Sequence, residues 1–145
     1  MRKMIALAAV AAIALAAAFA AERDTPQVSG DYAKLTAGEK VYAGNIAGVW
    51  TNGLAYAVNS SKASAGTLTV CGVFLHTADA GEQVVAKRGG FILENAGNIA
   101  KKNIGATAYS VASNAWTVTA TSGTKTVGKV ADVRDDGKVV VVIGR

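Results

Sequence analysis

Glycine and its turn partners cut this chain at short intervals, and that spacing constrains the fold more than any other feature. Asn52-Gly53, Arg88-Gly89-Gly90 and Asp135-Asp136-Gly137 are turn signals, with weaker ones at Ser113-Asn114 and over 77–81 and 121–123. Asn-Gly and Asp-Gly pairs favour tight hairpins because both central positions need positive φ. Between these breaks lie short runs rich in Val, Thr, Ala and aromatic residues, at 46–50, 54–58, 67–76, 83–86, 91–93, 107–111, 116–120, 126–133 and 139–143. A further strand start lies at 40–43. Segments of this length and composition suit strands and leave no room for repeated helices.

The spacing predicts about nine or ten strands in an all-β fold, a small antiparallel β-barrel or sandwich. Residues 67–76 are apolar on both faces around Val70, Val73, Phe74 and Leu75, which predicts a central strand. Residues 83–86 and 91–93 read as strands across the Arg88-Gly89-Gly90 turn. Residues 96–105 are the least strand-like stretch and are expected to hold one helical turn.

The 145 residues include 16 glycines and a single proline, Pro26. Three regions follow. Residues 1–20 form an apolar segment; residues 21–37 form an extended N-terminal arm; residues 38–145 form one β-domain. Arg2 and Lys3 precede an unbroken apolar run over 4–21, and Ala18-Phe19-Ala20 has the small-x-small form of a cleavage site. That pattern fits a secretory signal. An uncleaved Ala-rich packing helix and a membrane anchor are the other readings, and a helix is expected in all three. Pro26 blocks helix and biases Thr25 toward extended geometry, hence the arm.

Charge and chemistry narrow the function classes. The net charge is +5, and setting aside Arg2 and Lys3 leaves 13 basic against 10 acidic residues, or +3. The basic pairs Lys87-Arg88 and Lys101-Lys102 form no stripe with interleaved aromatics, so direct nucleic-acid binding is not expected. Cys71 is the only cysteine and His76 the only histidine. An offset of five on a regular strand puts them on opposite faces, about 17 Å apart, too far for a nucleophile–base pair. Two such residues cannot supply a four-ligand zinc site. Asp132, Asp135 and Asp136 are oxygen ligands of the kind calcium takes, but Asp135-Asp136-Gly137 is explained as a turn and no calcium site is assigned. Glu82 and Glu94 lie near strands as ordinary strand charges, and Arg88-Gly89-Gly90 lacks the Lys-Ser/Thr of a phosphate loop. No catalytic, cofactor or metal residue is assigned, and the chain is not expected to be an enzyme.

Several segments carry a resemblance. Glu22-Arg23-Asp24-Thr25-Pro26, then Gly30-Asp31, then Lys40-Val41-Tyr42-Ala43-Gly44 resemble the opening of a family of small phage proteins. In the middle, Gly81-Glu82-Gln83-Val84-Val85-Ala86-Lys87-Arg88-Gly89-Gly90-Phe91 is similar to that family's strand-turn-strand. The segments 105–111, 127–133 and 137–143 fit its end. The family is that of the capsid cement or decoration proteins of tailed phages, in the branch seen in Mu-like phages and prophages. The resemblance covers residues 21–145.

It implies a β-rich, non-enzymatic virion protein that binds the outer face of the major capsid protein shell and cements it. It also implies a homo-oligomer, with a trimer favoured. The arm residues Glu22, Arg23, Asp24, Thr25, Pro26, Gly30 and Asp31 would contact the capsid. The localisation implied is the capsid surface of the virion. Residues 1–20 exceed the family pattern and carry the alternative: a secreted or periplasmic, non-enzymatic β-domain with a binding or structural role. Contact with a membrane is expected only if those residues are an uncleaved anchor.

Overall fold

The computed structural model describes residues 32–62, 68–121 and 125–144. The apolar segment and the arm residues from Glu22 to Asp31 lie outside the described residues. Among the described residues there are ten strands and one short 3-10 turn: β1 (Tyr32–Thr36), β2 (Ile46–Val49), β3 (Ala55–Ala57), β4 (Thr69–Phe74), β5 (Gln83–Lys87), β6 (Gly89–Asn95), the 3-10 turn (Lys101–Asn103), β7 (Thr107–Ser110), β8 (Thr117–Thr119), β9 (Thr126–Val133) and β10 (Val139–Ile143). The described part of the chain is all-β.

The first five strands form a wholly antiparallel sheet in the order β1-β5-β4-β2-β3. β4 is its central strand, as its two apolar faces predict. The sheet curls until its ends meet. Just past β1, Ala37 bridges to Ala55 of β3, and the Gly38 N–H donates to the Ala55 carbonyl at 2.8 Å. So tight a curl leaves a narrow interior. Small side chains fill it: Ala37, Ala47, Ala55, Ala78 and Ala86, with Val41 and Val84, around the single large ring of Phe74.

The last five strands close into a barrel in the order β9-β10-β6-β8-β7 and back to β9. All its pairings are antiparallel except β6 with β8, which run parallel with Glu94 opposite Thr117. Val139, Val141 and Ile143 of β10 point inward, with Val140 and Val142 outward. They join Leu93, Ala108, Val118, Val127, Val130 and Val133 in the larger core. Ile46, Tyr56, Val58, Leu68 and Val73 belong to the same cluster, so the outer face of the curled sheet seals against the barrel. Gly48 lets β2 pack closely on the segment entering β4: a β-carbon there would lie 2.6 Å from Cγ of Leu68.

Most turn signals fold as read. Gly53 adopts φ +83 and its N–H donates to the Trp50 carbonyl at 2.8 Å, closing the β2–β3 hairpin. Gly137, at φ +88, closes the β9–β10 hairpin. Two local expectations change. Residues 40–43 form no strand; Val41 makes only a reciprocal bridge with Ala78. The Arg88-Gly89-Gly90 stretch is a crossing point instead of a hairpin. Lys87 is already flanked by Tyr32 and Val73 in the sheet, whereas Gly89 and Gly90 lie opposite Ile143 and Val142 in the barrel. Both sides of β5 are taken, so the chain leaves the sheet at Gly89 (φ +136) and enters the barrel. Tyr32–Thr36, read as the end of the arm, is extended and pairs with β5 as an edge strand.

Candidate functional site: a basic groove between sheet and barrel

Where the curled sheet meets the barrel, an open groove of about 620 Å³ separates the start of β4 from β9. Leu68, Thr69 and Val70 form one wall, Lys125 to Lys129 the other, with Thr107 and Gly144 at its margins. The β9 wall is shaped by a bulge. Pairing with β7 skips a residue between Thr126 and Gly128, which turns Val127 into the core while Lys129 stays exposed. Such a bulge re-aims side chains that strict alternation would place elsewhere.

Each lysine is positioned by the barrel. The Lys125 backbone exchanges two hydrogen bonds with the fully buried Ser110: its N–H donates to Oγ at 3.0 Å, and its carbonyl accepts from the Ser110 N–H at 2.8 Å. Lys129 Nζ lies 3.2 Å from Thr107 Oγ1. Neither lysine has an ion-pair partner among the described residues; the four ion pairs there, Lys40–Asp79, Lys101–Asp132, Arg134–Asp136 and Lys138–Glu94, lie elsewhere. At the groove's end the Arg88 side chain packs against Gly144, whose φ of +81 and lack of a β-carbon make that contact feasible. No carboxylate lines the groove.

The thiol and the imidazole are held apart. Cys71 is half-buried, with Sγ 3.6 Å from the Ala47 carbonyl. Burial pushes its pKa up to about 11, against a smaller opposing pull from Arg88. A thiol so held is protonated at neutral pH and a poor nucleophile. His76 lies beyond the end of β4, where Nε2 accepts the Val85 N–H at 3.3 Å. The acidic residues Asp132, Asp135 and Asp136 line a small polar cleft with Lys101 and Arg134. Asp132 accepts the Val133 N–H and Asp136 the Lys138 N–H, both local turn bonds. Among the described residues no group of three or more His, Cys, Asp or Glu is placed to hold a metal.

A second surface stands out on the barrel wall. Ile92 on β6 is 45% exposed and lies opposite Val140 of β10, with Val142 beside it. Trp116, 48% exposed, leads into β8 next to Glu94. The Lys138–Glu94 pair at 3.6 Å borders this apolar strip.

The groove residues Lys125 and Lys129 were not legible as a site in the sequence, because neither the groove nor the bulge between them shows before the fold is formed. Glu22, Arg23, Asp24, Thr25, Pro26, Gly30 and Asp31, which the resemblance implies as capsid contacts, lie outside the described residues. Tyr32, which follows them, sits at the start of β1 with Lys87 Nζ 5.6 Å from its ring centre. No described helix is long and apolar enough to cross a membrane. No family model matches the chain, no curated protein matches it, and no solved structure matches it.

Proposed function

We propose that this chain is a structural virion protein that binds the outer surface of a phage capsid and cements the shell. The observation that carries this reading is the ordered resemblance to the phage cement family across residues 21–145. The body of curled sheet and closed barrel supports it. The resembling segment 81–91 forms the crossing from the sheet to the barrel, and the resembling segments 127–133 and 137–143 supply the barrel hairpin β9–β10. A rigid body of this kind stabilises a shell by mass action: it binds the assembled state across neighbouring subunits and not the free ones. The exposed strip of Ile92, Val140, Val142 and Trp116 gives such a body apolar area to bury, against itself in an oligomer or against the major capsid protein. The arm precedes an edge strand, β1, so its residues are suited to adding backbone hydrogen bonds along a neighbouring sheet edge.

The test compares purified particles with and without this protein. Particles lacking it lose integrity at lower temperature or in low salt, and adding the protein back restores them. Equal stability with and without it, or its absence from particles, sinks the reading.

The apolar run over 4–21 favours a second reading, a secreted or periplasmic β-domain with a binding or structural role. The mass of the native protein separates the two. An intact Met1 in a particle supports cementing, and a mature chain beginning at Ala21 in the periplasm supports secretion.

A further inference from the structure

The groove between β4 and β9 has two properties that point to one kind of occupant. The first is an open strand edge. β4 pairs with β5 only at Val73 and Phe74, because β5 ends at Lys87 and the chain then crosses into the barrel. From Thr69 to Cys71, β4 pairs with β2 on one side and with no strand among the described residues on the other. An unpaired edge is a template for an added extended segment.

The second property is charge without a carboxylate partner among the described residues. Lys125, just before β9, and Lys129 on it line the groove, and neither has a carboxylate partner among the described residues. In sequence, the neighbouring residues 63–67 and 122–124 contain no Asp or Glu. Lys125 and Lys129 flank the bulge between Thr126 and Gly128, so they offer two separate cationic points along the groove for the carboxylates of an extended peptide. The apolar floor of Leu68, Val70 and Val127 would take the alternate side chains of such a segment.

We propose that this groove binds an extended, acidic peptide segment of a partner protein, which lies along the free edge of β4 and pairs its carboxylates with Lys125 and Lys129. The lining favours a peptide over nucleic acid. It contains no aromatic ring on which a base could stack, and two lysines do not make a phosphate track. The inference is independent of whether the partner belongs to a phage shell.

The test uses the isotope-labelled full chain and a synthetic peptide of alternating valine and threonine with glutamates four positions apart, followed by amide chemical shifts. The expected result is saturable binding that weakens with salt, with the largest shifts at Thr69, Val70, Thr126 and Lys129. Replacing both glutamates by glutamine, or introducing Lys125→Glu with Lys129→Glu, weakens binding by on the order of tenfold or more. Lys125→Gln alone, which adds no repulsion, gives an intermediate loss. Unchanged melting temperatures of the variants tie that loss to the groove. Equal affinity for the glutamine peptide, shifts confined to the Ile92–Val140 wall, or tighter binding of a thymidine oligonucleotide each overturns the proposal. Tighter binding of a peptide copying residues 22–31 also overturns it, by making a second copy of this chain the occupant.

Discussion

Gly72 lies flush against the Lys87 main chain, so that a β-carbon at Gly72 would run into the Lys87 carbonyl. The contact joins the centre of the sheet to the last residue of β5, immediately before the chain crosses to the barrel. Gly72 also has φ +151, in the irregular part of the β2–β4 ladder where the register shifts between Ala47 and Gly48. Gly72→Ala is therefore both sterically and conformationally opposed. Its expected cost is about 2–4 kcal/mol in urea unfolding, above the usual range for a strained backbone position because backbone atoms must also move. Gly53→Ala, where φ is +83 but no atom lies within 4 Å, is expected to cost about 1 kcal/mol. Equal losses for the two would show that the Lys87 contact yields freely.

The curled sheet is filled by alanines because its interior is narrow, and that makes it sensitive to added volume. Ala47 and Ala86 are fully buried beside Phe74. Ala86→Val is expected to destabilise by about 1–3 kcal/mol through overpacking, although valine has the better strand propensity. A more stable Ala86→Val protein in thermal unfolding would mean that the interior holds unused space.

Asn95 fastens the loop after β6 to the β9–β10 hairpin. Its Nδ2 donates to the Ile99 carbonyl at 2.9 Å and the Gly137 carbonyl at 3.1 Å, and its Oδ1 accepts the N–H groups of Gly97 at 2.7 Å and Ile99 at 3.2 Å. A carboxylate has no proton for the two carbonyls. Asn95→Asp is expected to cost about 2 kcal/mol or more, with faster amide exchange from Ala96 to Ile99, whereas a purely local acceptor role would leave stability unchanged.

How much of this was readable in advance depended on whether a feature was local. The Asn52-Gly53 and Asp136-Gly137 turns are set by their own φ requirements, and both fold as hairpins. β4 declared itself central because both of its faces carry apolar residues. Arg88-Gly89-Gly90 misleads for a tertiary reason: the neighbours that β5 and β6 pair with come from opposite ends of the chain, and they pull the two strands into different sheets. The facing of β10 was equally hidden, since five consecutive Val and Ile residues show no alternation until the barrel assigns an inside. The groove was beyond reach, because it requires β4 and β9, distant in sequence, to meet beside a one-residue bulge.

Ser110 is the buried support of the groove. It is fully enclosed, and its hydroxyl accepts from the Lys125 N–H while its own N–H holds the Lys125 carbonyl. Ser110→Ala removes one of these two bonds and leaves the Lys125 N–H without that acceptor. The expected cost is about 1–2 kcal/mol, with increased amide exchange at Lys125 and little change at Lys129, which pairs with Thr107 in the β7–β9 ladder. Loss of protection at both lysines alike would mean that the β9 wall opens as one unit.

Cys71 sets a pH limit on the curled sheet. Its pKa rises from 9.0 to about 11 because burial disfavours the thiolate, with Arg88 only partly opposing this. The folded state therefore keeps its proton where the unfolded chain has lost it. Folding stability is unaffected by this group below about pH 9 and falls as pH rises from about 9 toward 11, since the unfolded state binds fewer protons across that window. Cys71→Ser has no comparable titration in that range, so the difference in stability between wild type and variant should narrow as pH climbs. The same burial predicts slow alkylation at pH 8 in the native protein and fast alkylation in urea. Rapid native alkylation at pH 8, or a stability difference that does not change between pH 8 and 11, would place the thiol in solvent instead of against Ala47.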